Sequence, residues 1–482
     1  MALDMTPESP GWWLQRLLTK LRADRTRFDN LDKYYRCENG IPVHAEDSVK
    51  EAFKRLMTVS RSNWAALSVQ APLERMRPTG FRTGAAGDQL GDDAAWEIWQ
   101  ANGLDAGMPR VFEASLSMSL GLMIVGSVDP EIEAPLITPE DPREVVVETD
   151  PRRRSRVLAG LKVFRDEVGN RDRAYLYLPG KVSRFSASTT TPSPVHLPSK
   201  PIPRHTHPDD ANEWELDSED TVPGNIVPVV PFPANPTLHG VGVGEFEPHL
   251  PLLDRINFLV LQELQIATLQ AFRQMAVKGD LPDNDDQGNP IDYDDIFAKD
   301  PGALWKLPDG VDLWESGQVD LGGIRNLVRD QVQDFAALSG TPLFYLTPEA
   351  TDGSAEGAAL ARERLIFKTK RHITDATEPL EQVMSYAFLM AGDEERASRK
   401  AMEVIWAAPE RFSMNEMADA GTKALKGGLT LRQTRERVWG ATPQEIEQME
   451  EEDAAEALRV QGVNLVGQVM NGTGPDIDPA AG

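Results

Sequence analysis

The chain has 482 residues, enough for about three domains at ~100–200 residues each. Its 76 acidic residues against 50 basic ones give a net charge of −26, which excludes a general nucleic-acid binder held by phosphate neutralisation. Cys37 is the only cysteine, so an intrachain disulfide is excluded and synthesis in a reducing cytoplasm is expected.

The opening MALDMTPESPGWW has neither a basic n-region nor an apolar h-region, so no signal peptide is expected. Leu14, Leu17, Leu18 and Leu21 share one face and predict a helix over 10–40. Phe53, Leu56, Trp64, Leu67, Val69 and Leu73 predict further helix over 48–77. Gly80-Phe81-Arg82 and the stretch 83–93 read as turn and loop. Short helices follow around Trp96 and Trp99 and from Met108 to Leu120. The pattern then changes to strands at Gly121–Gly126, Glu144–Glu148, Val157–Phe164 and Ala174–Leu178. Arg152-Arg153-Arg154-Ser155-Arg156 reads as an exposed charged turn. The Ser/Thr/Pro/Asp-rich loop 186–224 specifies little, and prolines keep 226–233 extended. The body is therefore mixed α+β, and predominantly α over the whole chain.

Pro251–Lys278 predicts one helix of about 40 Å at ~1.5 Å per residue. Phe258, Leu261, Leu264, Leu269 and Phe272 spread its apolar residues round most of the circumference, so it needs cover on several sides. Glu263, Arg273 and four glutamines exclude a membrane span. A second helix runs from Leu321 to Leu338, capped by Asp320, and the two flank an acidic excursion of about forty residues. Neighbouring subunits are the expected cover, with Phe258, Leu264 and Phe272 as interface residues. Gly340 and Pro342 stop the second helix and open an irregular loop, 340–353. Ser354 then caps a third helix towards Ala391, with a kink expected at Pro379. Less apolar helices fill 398–470, and the tail 471–482 reads as disordered.

Few of these stretches suggest chemistry. Gly240-Val241-Gly242-Val243-Gly244 has neither a βαβ setting nor a following lysine, and reads as a flexible lead into the long helix rather than a phosphate loop. His205 and His207 lack accompanying ligands and read as an exposed loop pair rather than a metal site. Asp283, Asp285 and Asp294 fit positions of a calcium loop, but Pro290 sits inside it, Pro282 breaks the entering helix, and a solvated acidic turn is simpler. No nucleophile has a base beside it, and no cofactor is expected. Arg364, Lys368, Arg371 and His372 fall near one helix face. A solvated face is the plain reading, and contact with an acidic neighbour the second.

Taken in order, several stretches resemble the portal proteins of tailed double-stranded-DNA bacteriophages of the siphophage type. They are Arg61–Trp64 through Gly80–Arg82, Ala95–Trp99, ITPEDPREVVVETDP at 137–151 and VPVVPFPANP at 227–236. GVGEFEPHLPLLDRIN at 242–257, ALWKLPDGV at 303–311 and ALSGTPLFYLTPEATDGSAEGAALARER at 337–364 complete the set. The resemblance implies a homo-oligomeric ring, twelve subunits in virions, forming a head-to-tail connector at one capsid vertex. Through its channel the genome is packaged and later ejected, with no sequence specificity towards the DNA.

It further implies a wing over 1–250, stem helices at 251–278 and 321–339, a clip at 279–320 and a tunnel loop at 340–353. A long wing helix would cover 354–395 and crown-side helices 396–470. Expected partners are the terminase large subunit, a head-completion or adaptor protein, the major capsid protein and a scaffold, with no membrane and no ATPase activity. Leu346, Thr347, Pro348, Glu349, Ala350, Thr351 and Asp352 would face the tunnel. Asp292, Asp294, Asp295 and Trp305 would dock terminase or connector, on a segment 279–320 that carries twelve acidic and two basic residues. A net negative ring also suits a conduit that must not grip a polyanion. The competing hypothesis is a calcium-binding or hydrolytic enzyme built on 283–295.

Overall fold

The computed structural model describes residues 3–40, 56–85, 91–188, 207–271, 275–279, 283–284, 287–288, 290, 312–315, 320–346, 355–410 and 414–470. The chain divides into two compact units. One comprises residues 1–39, 63–250 and 336–482, the other residues 40–62 and 251–335.

The larger unit begins with α1 (Pro10–Tyr35). Ser9 Oγ accepts from Trp12 N at 3.3 Å and Pro10 occupies the first turn, where its missing N–H costs nothing. Leu14, Leu17, Leu18 and Leu21 pack on a five-stranded antiparallel sheet of order β4-β5-β6-β7-β8. Its strands are β4 (Val145–Asp150), β5 (Arg153–Asp166), β6 (Arg171–Leu178), β7 (Lys181–Ser188) and β8 (Glu215–Thr221). Val146, Leu161, Val163, Leu176 and Phe185, at the alternating spacing that puts every second side chain on one face of a strand, pack with the helix, and Trp214 just before β8 joins them. A three-stranded sheet, β3-β2-β9, joins β2 (Leu120–Asp129) with β3 (Ala134–Glu140) and the proline-rich β9 (Val229–Pro233). Leu122, Ile124, Val145, Val147, Val157 and Val229 form the core shared by both sheets.

The helices of this unit include α2 (Trp64–Leu73), α3 (Asp93–Ala101), α4 (Leu104–Met118) and the 37-residue α8 (Ala355–Ala391). Asn63 and Asp92 cap α2 and α3 through their side-chain oxygens. Pro379 lies inside an unbroken α8, and Leu380, Val383, Met384 and Phe388 beside it are buried.

The sequence reading needs correction at several elements. Gly80-Phe81-Arg82 belong to a strand, β1 (Pro78–Arg82), which pairs antiparallel with β12 (Glu403–Trp406). Phe81 is fully buried, so this is core and not a loop. The stretch 134–140 forms β3, and the segment assigned to loop 186–224 supplies the end of β7 and all of β8. Residues 153–156 begin β5 with their side chains exposed, leaving only 151–152 as a turn. His207 is largely enclosed, 3.5 Å from Asp172, rather than on an open loop. Helices also stop earlier than periodicity suggests: α1 ends at Tyr35, and 48–77 is broken at residues 60–63.

In the smaller unit, α5 (Leu250–Ala271) and α6 (Leu321–Ser339) are bridged by Arg325 and Glu263 at 3.3 Å. The predicted helix to Lys278 is shorter than expected. Met275–Lys278 forms β10, which pairs antiparallel with β11 (Asp312–Glu315). A backbone ladder formed with residues nearly forty positions away overrides the local helical pattern. Leu252, Leu253, Ile256 and Leu261 are buried, and Asn257 Oδ1 accepts from Ser62 N at 3.0 Å.

Candidate functional site at the root of the helix pair

Most residues singled out from the sequence lie outside the described part of the chain: 347–352, Asp292, Asp294, Asp295, Trp305, Phe272 and Asp285. Leu346 ends the one-turn helix α7 (Leu343–Leu346). Asp283 is exposed, and no cluster of His, Cys, Asp or Glu suited to a metal occurs among the described residues. Phe258 is 39 % exposed and Leu264 partly buried.

The most developed polar arrangement in the larger unit surrounds Glu245, five residues before α5 begins. The glycine-rich run ahead of it is pinned rather than flexible. A Cβ on Gly242 would sit 2.0 Å from the Ser119 carbonyl, and one on Gly244 would sit 3.0 Å from that of Ser117. Only bare backbone fits so close to the end of α4. Val243 N then donates to Ala234 O at 2.7 Å, and Glu245 N to Leu116 O at 2.8 Å. The glycines serve close approach, and the strip is fixed along its length.

Held this way, the Glu245 side chain is 4 % exposed. It pairs with Lys368 Nζ, has His372 Nε2 at 2.7 Å and accepts from Asn235 Nδ2 at 3.0 Å. Burial alone would raise its pKa. The close approach of His372 and the charge of Lys368 outweigh burial and bring it down to about 2. Burial, reinforced by the Lys368 charge, lowers the pKa of His249 nearby. Two residues on, Glu247 takes both Arg27 Nε and a terminal Arg27 nitrogen at 2.7 Å, a bidentate clamp from α1. Arg27 also donates to Gly242 O at 2.8 Å.

Lys368 makes one more bond, donating to the Ser339 carbonyl at 2.9 Å. Ser339 is the last residue of α6, and Gly340 behind it adopts φ +67° against Arg364. One lysine on α8 therefore holds the chain just before α5 and at the end of α6. Past that turn, Arg75 donates to the Tyr345 hydroxyl at 3.1 Å and to Pro409 O at 2.7 Å. Ser339 and Thr341 are buried, so the stretch leading out of α6 is anchored at both ends. The arrangement contains no nucleophile paired with a base. It is a mechanical fastening, in which Glu245 and Glu247 each meet a basic side chain from a distant helix.

Of the basic set read on α8, Lys368 and His372 turn inward onto an acid of their own chain, while Arg364 and Arg371 are exposed. The sequence offered the cations but no signal for Glu245, which is one of 76 acidic residues.

Comparisons with known proteins bear on what is fastened. The profile of the family described as phage portal protein, SPP1 Gp6-like, matches residues 14–458. The chain is 26 % identical over 429 residues to a protein named "Portal protein" from Mycobacterium phage D29. That alignment covers 86 % of this chain and 81 % of the relative. A protein of the same name from Mycobacterium phage L5 is 26 % identical over 430 residues, with the same coverage.

Proposed function

The chain belongs to the phage portal protein family, a structural rather than enzymatic family, and from that premise we propose how its parts serve a portal. Copies assemble into a ring, twelve in the virion, whose axial channel passes double-stranded DNA into the capsid and out again. Helices α5 and α6 form the stem, residues 279–320 the clip that docks terminase and then the head-completion protein, and 340–353 the tunnel loop. The sheets and α8 form the wing against the capsid protein and scaffold, and the C-terminal helices the crown.

The family match over nearly the whole chain carries this reading. Two features support it. Apolar side chains on both helices of the smaller unit remain accessible, Phe258 at 39 % and Leu327 at 45 %, as a surface awaiting further copies would require. The net charge of −26 also leaves little to hold a polyanion in transit. Synthesis in the host cytoplasm precedes assembly at the capsid vertex. Among the described residues no helix is long and apolar enough to cross a membrane.

Light scattering of the purified chain, with negative-stain imaging, tests the assembly. Particles of several hundred kilodaltons with a stain-filled centre are expected. A stable single subunit at high concentration would overturn it.

A further inference from the structure

The C-terminal helices enclose a groove that the described residues leave open. Its walls are α9 (Met414–Lys426), α10 (Leu431–Thr434), the π-helical turn Arg435–Trp439 and the start of α11 (Pro443–Met470). The volume is about 420 Å3, lined mainly by Ala418, Leu425, Leu431, Trp439 and Met449. Leu425, Leu431 and Trp439 are 45 %, 49 % and 50 % exposed. A Cβ on Gly421 would meet Trp439 Nε1 at 2.8 Å, so the indole rests on the bare backbone of α9 and its remaining surface stays open. Single π-turns are rare and concentrate at functional sites. A half-exposed tryptophan beside Arg435 has the composition of an interface anchor.

The same chain carries a matching half. From Glu451 to Arg459 every residue of α11 is exposed, and Leu458, set among Ala454, Ala455 and Ala457, is 70 % exposed. Such a helix gains most of its stability from packing it does not have here. Charge agrees with shape. Residues 414–439 hold five basic and three acidic side chains, whereas 440–459 hold seven acidic and one basic. Arg432–Glu450 at 3.2 Å and Arg435–Asp453 at 2.6 Å already use that complementarity to seat the start of α11 at the rim. Leu458 does not reach its own groove. It lies nine residues beyond the lining Met449, about 13 Å along the same helix.

We propose that the groove of one copy receives the Ala454–Leu458 edge of α11 from a neighbouring copy, a contact that rests on the ring reading above. Donor and acceptor surfaces differ, so the contact is heterologous. Repeated with a rotation that closes, it forms a ring and uses every groove once.

The test uses the full chain with Cys37→Ser, which removes the only native thiol. Leu425→Cys and Leu458→Cys are introduced together, particle size is recorded, and the sample is oxidised and run under denaturing conditions. A ladder of covalent multimers up to the full ring is expected. Intact rings that yield no ladder, or a cross-link confined to single chains, would overturn this contact while sparing the ring. Single subunits before oxidation would sink the ring and the contact with it. Leu458→Asp adds an independent measurement, since the residue is exposed in the lone subunit. Its melting temperature as a subunit should not change, whereas the concentration at which rings half-assemble should rise roughly tenfold. An unchanged assembly midpoint overturns the proposal.

Discussion

Lys368 shows at the scale of one residue what the fold demands of a buried charge. Its partners are a carboxylate and a backbone carbonyl from two segments that lie far apart in sequence. Lys368→Met leaves Glu245 buried without its main cation, and unfolding in urea should lose about 3–5 kcal/mol. Glu245→Gln combined with Lys368→Met removes both charges and should recover most of that loss, because the penalty lies in the unmatched ion. Equal losses in the single and double variants would show that packing dominates. Acidity probes the same pair. The Glu245 carboxyl has a pKa of about 2 when folded and near 4.5 otherwise, so its contribution is complete above pH ~4.5. It is lost as pH falls towards 2, and amounts to about 3 kcal/mol at neutral pH. Glu245→Gln should therefore flatten the stability profile between pH 4.5 and 2. A profile as steep as that of the unaltered chain would assign the acid sensitivity to other carboxylates.

Among the elements, the strip 240–245 shows why a glycine pattern misleads. G-x-G-x-G suggests either a phosphate loop or slack, yet Gly242 meets a carbonyl at a distance no side chain tolerates. Gly242→Ala should cost about 1–3 kcal/mol by overpacking, measurable as a lowered urea midpoint with unchanged slope. A neutral result would mean that the end of α4 can retreat. Helix α5 raises the complementary question of what covers an element that is apolar nearly all round. Leu252, Leu253, Ile256 and Leu261 are buried, while Phe258 remains 39 % exposed and Leu264 partly so. Phe258→Glu or Leu264→Glu should leave single subunits folded but block assembly, because the charge would be buried in the joined state. Rings of normal size from both variants would place these faces away from the subunit contact.

For the whole molecule the governing quantity is charge. A net −26 repeated around the proposed ring would favour passage of DNA over retention, and Glu349 and Asp352 continue that sign into the proposed tunnel loop. Exchanging both for Lys adds two positive charges per subunit where the DNA would pass. Rings should still form, DNA should be retained more tightly with a steeper salt dependence, and packaging should slow most at low salt. Packaging at the normal rate with no new retention would place the loop away from the channel.

Local periodicity and ordered motifs were enough to read the helix pair, the long α8, the mixed α+β class and the portal family from the sequence. Each of those rests on residues close together in the chain or on their order along it. Strand β3, the β10–β11 pair and the pairing of β1 with β12 were not legible. Arg82 and Glu403, paired across the last of these, are 321 positions apart, and the strands involved carry only four to seven residues each. The partner of Lys368 was hidden for a related reason. An acidic chain offers dozens of equivalent carboxylates, and nothing local distinguishes Glu245 until the glycines beside it let the backbone lie against α4. Which charges meet is a property of long-range packing, because burial removes the water that would otherwise make every carboxylate equivalent.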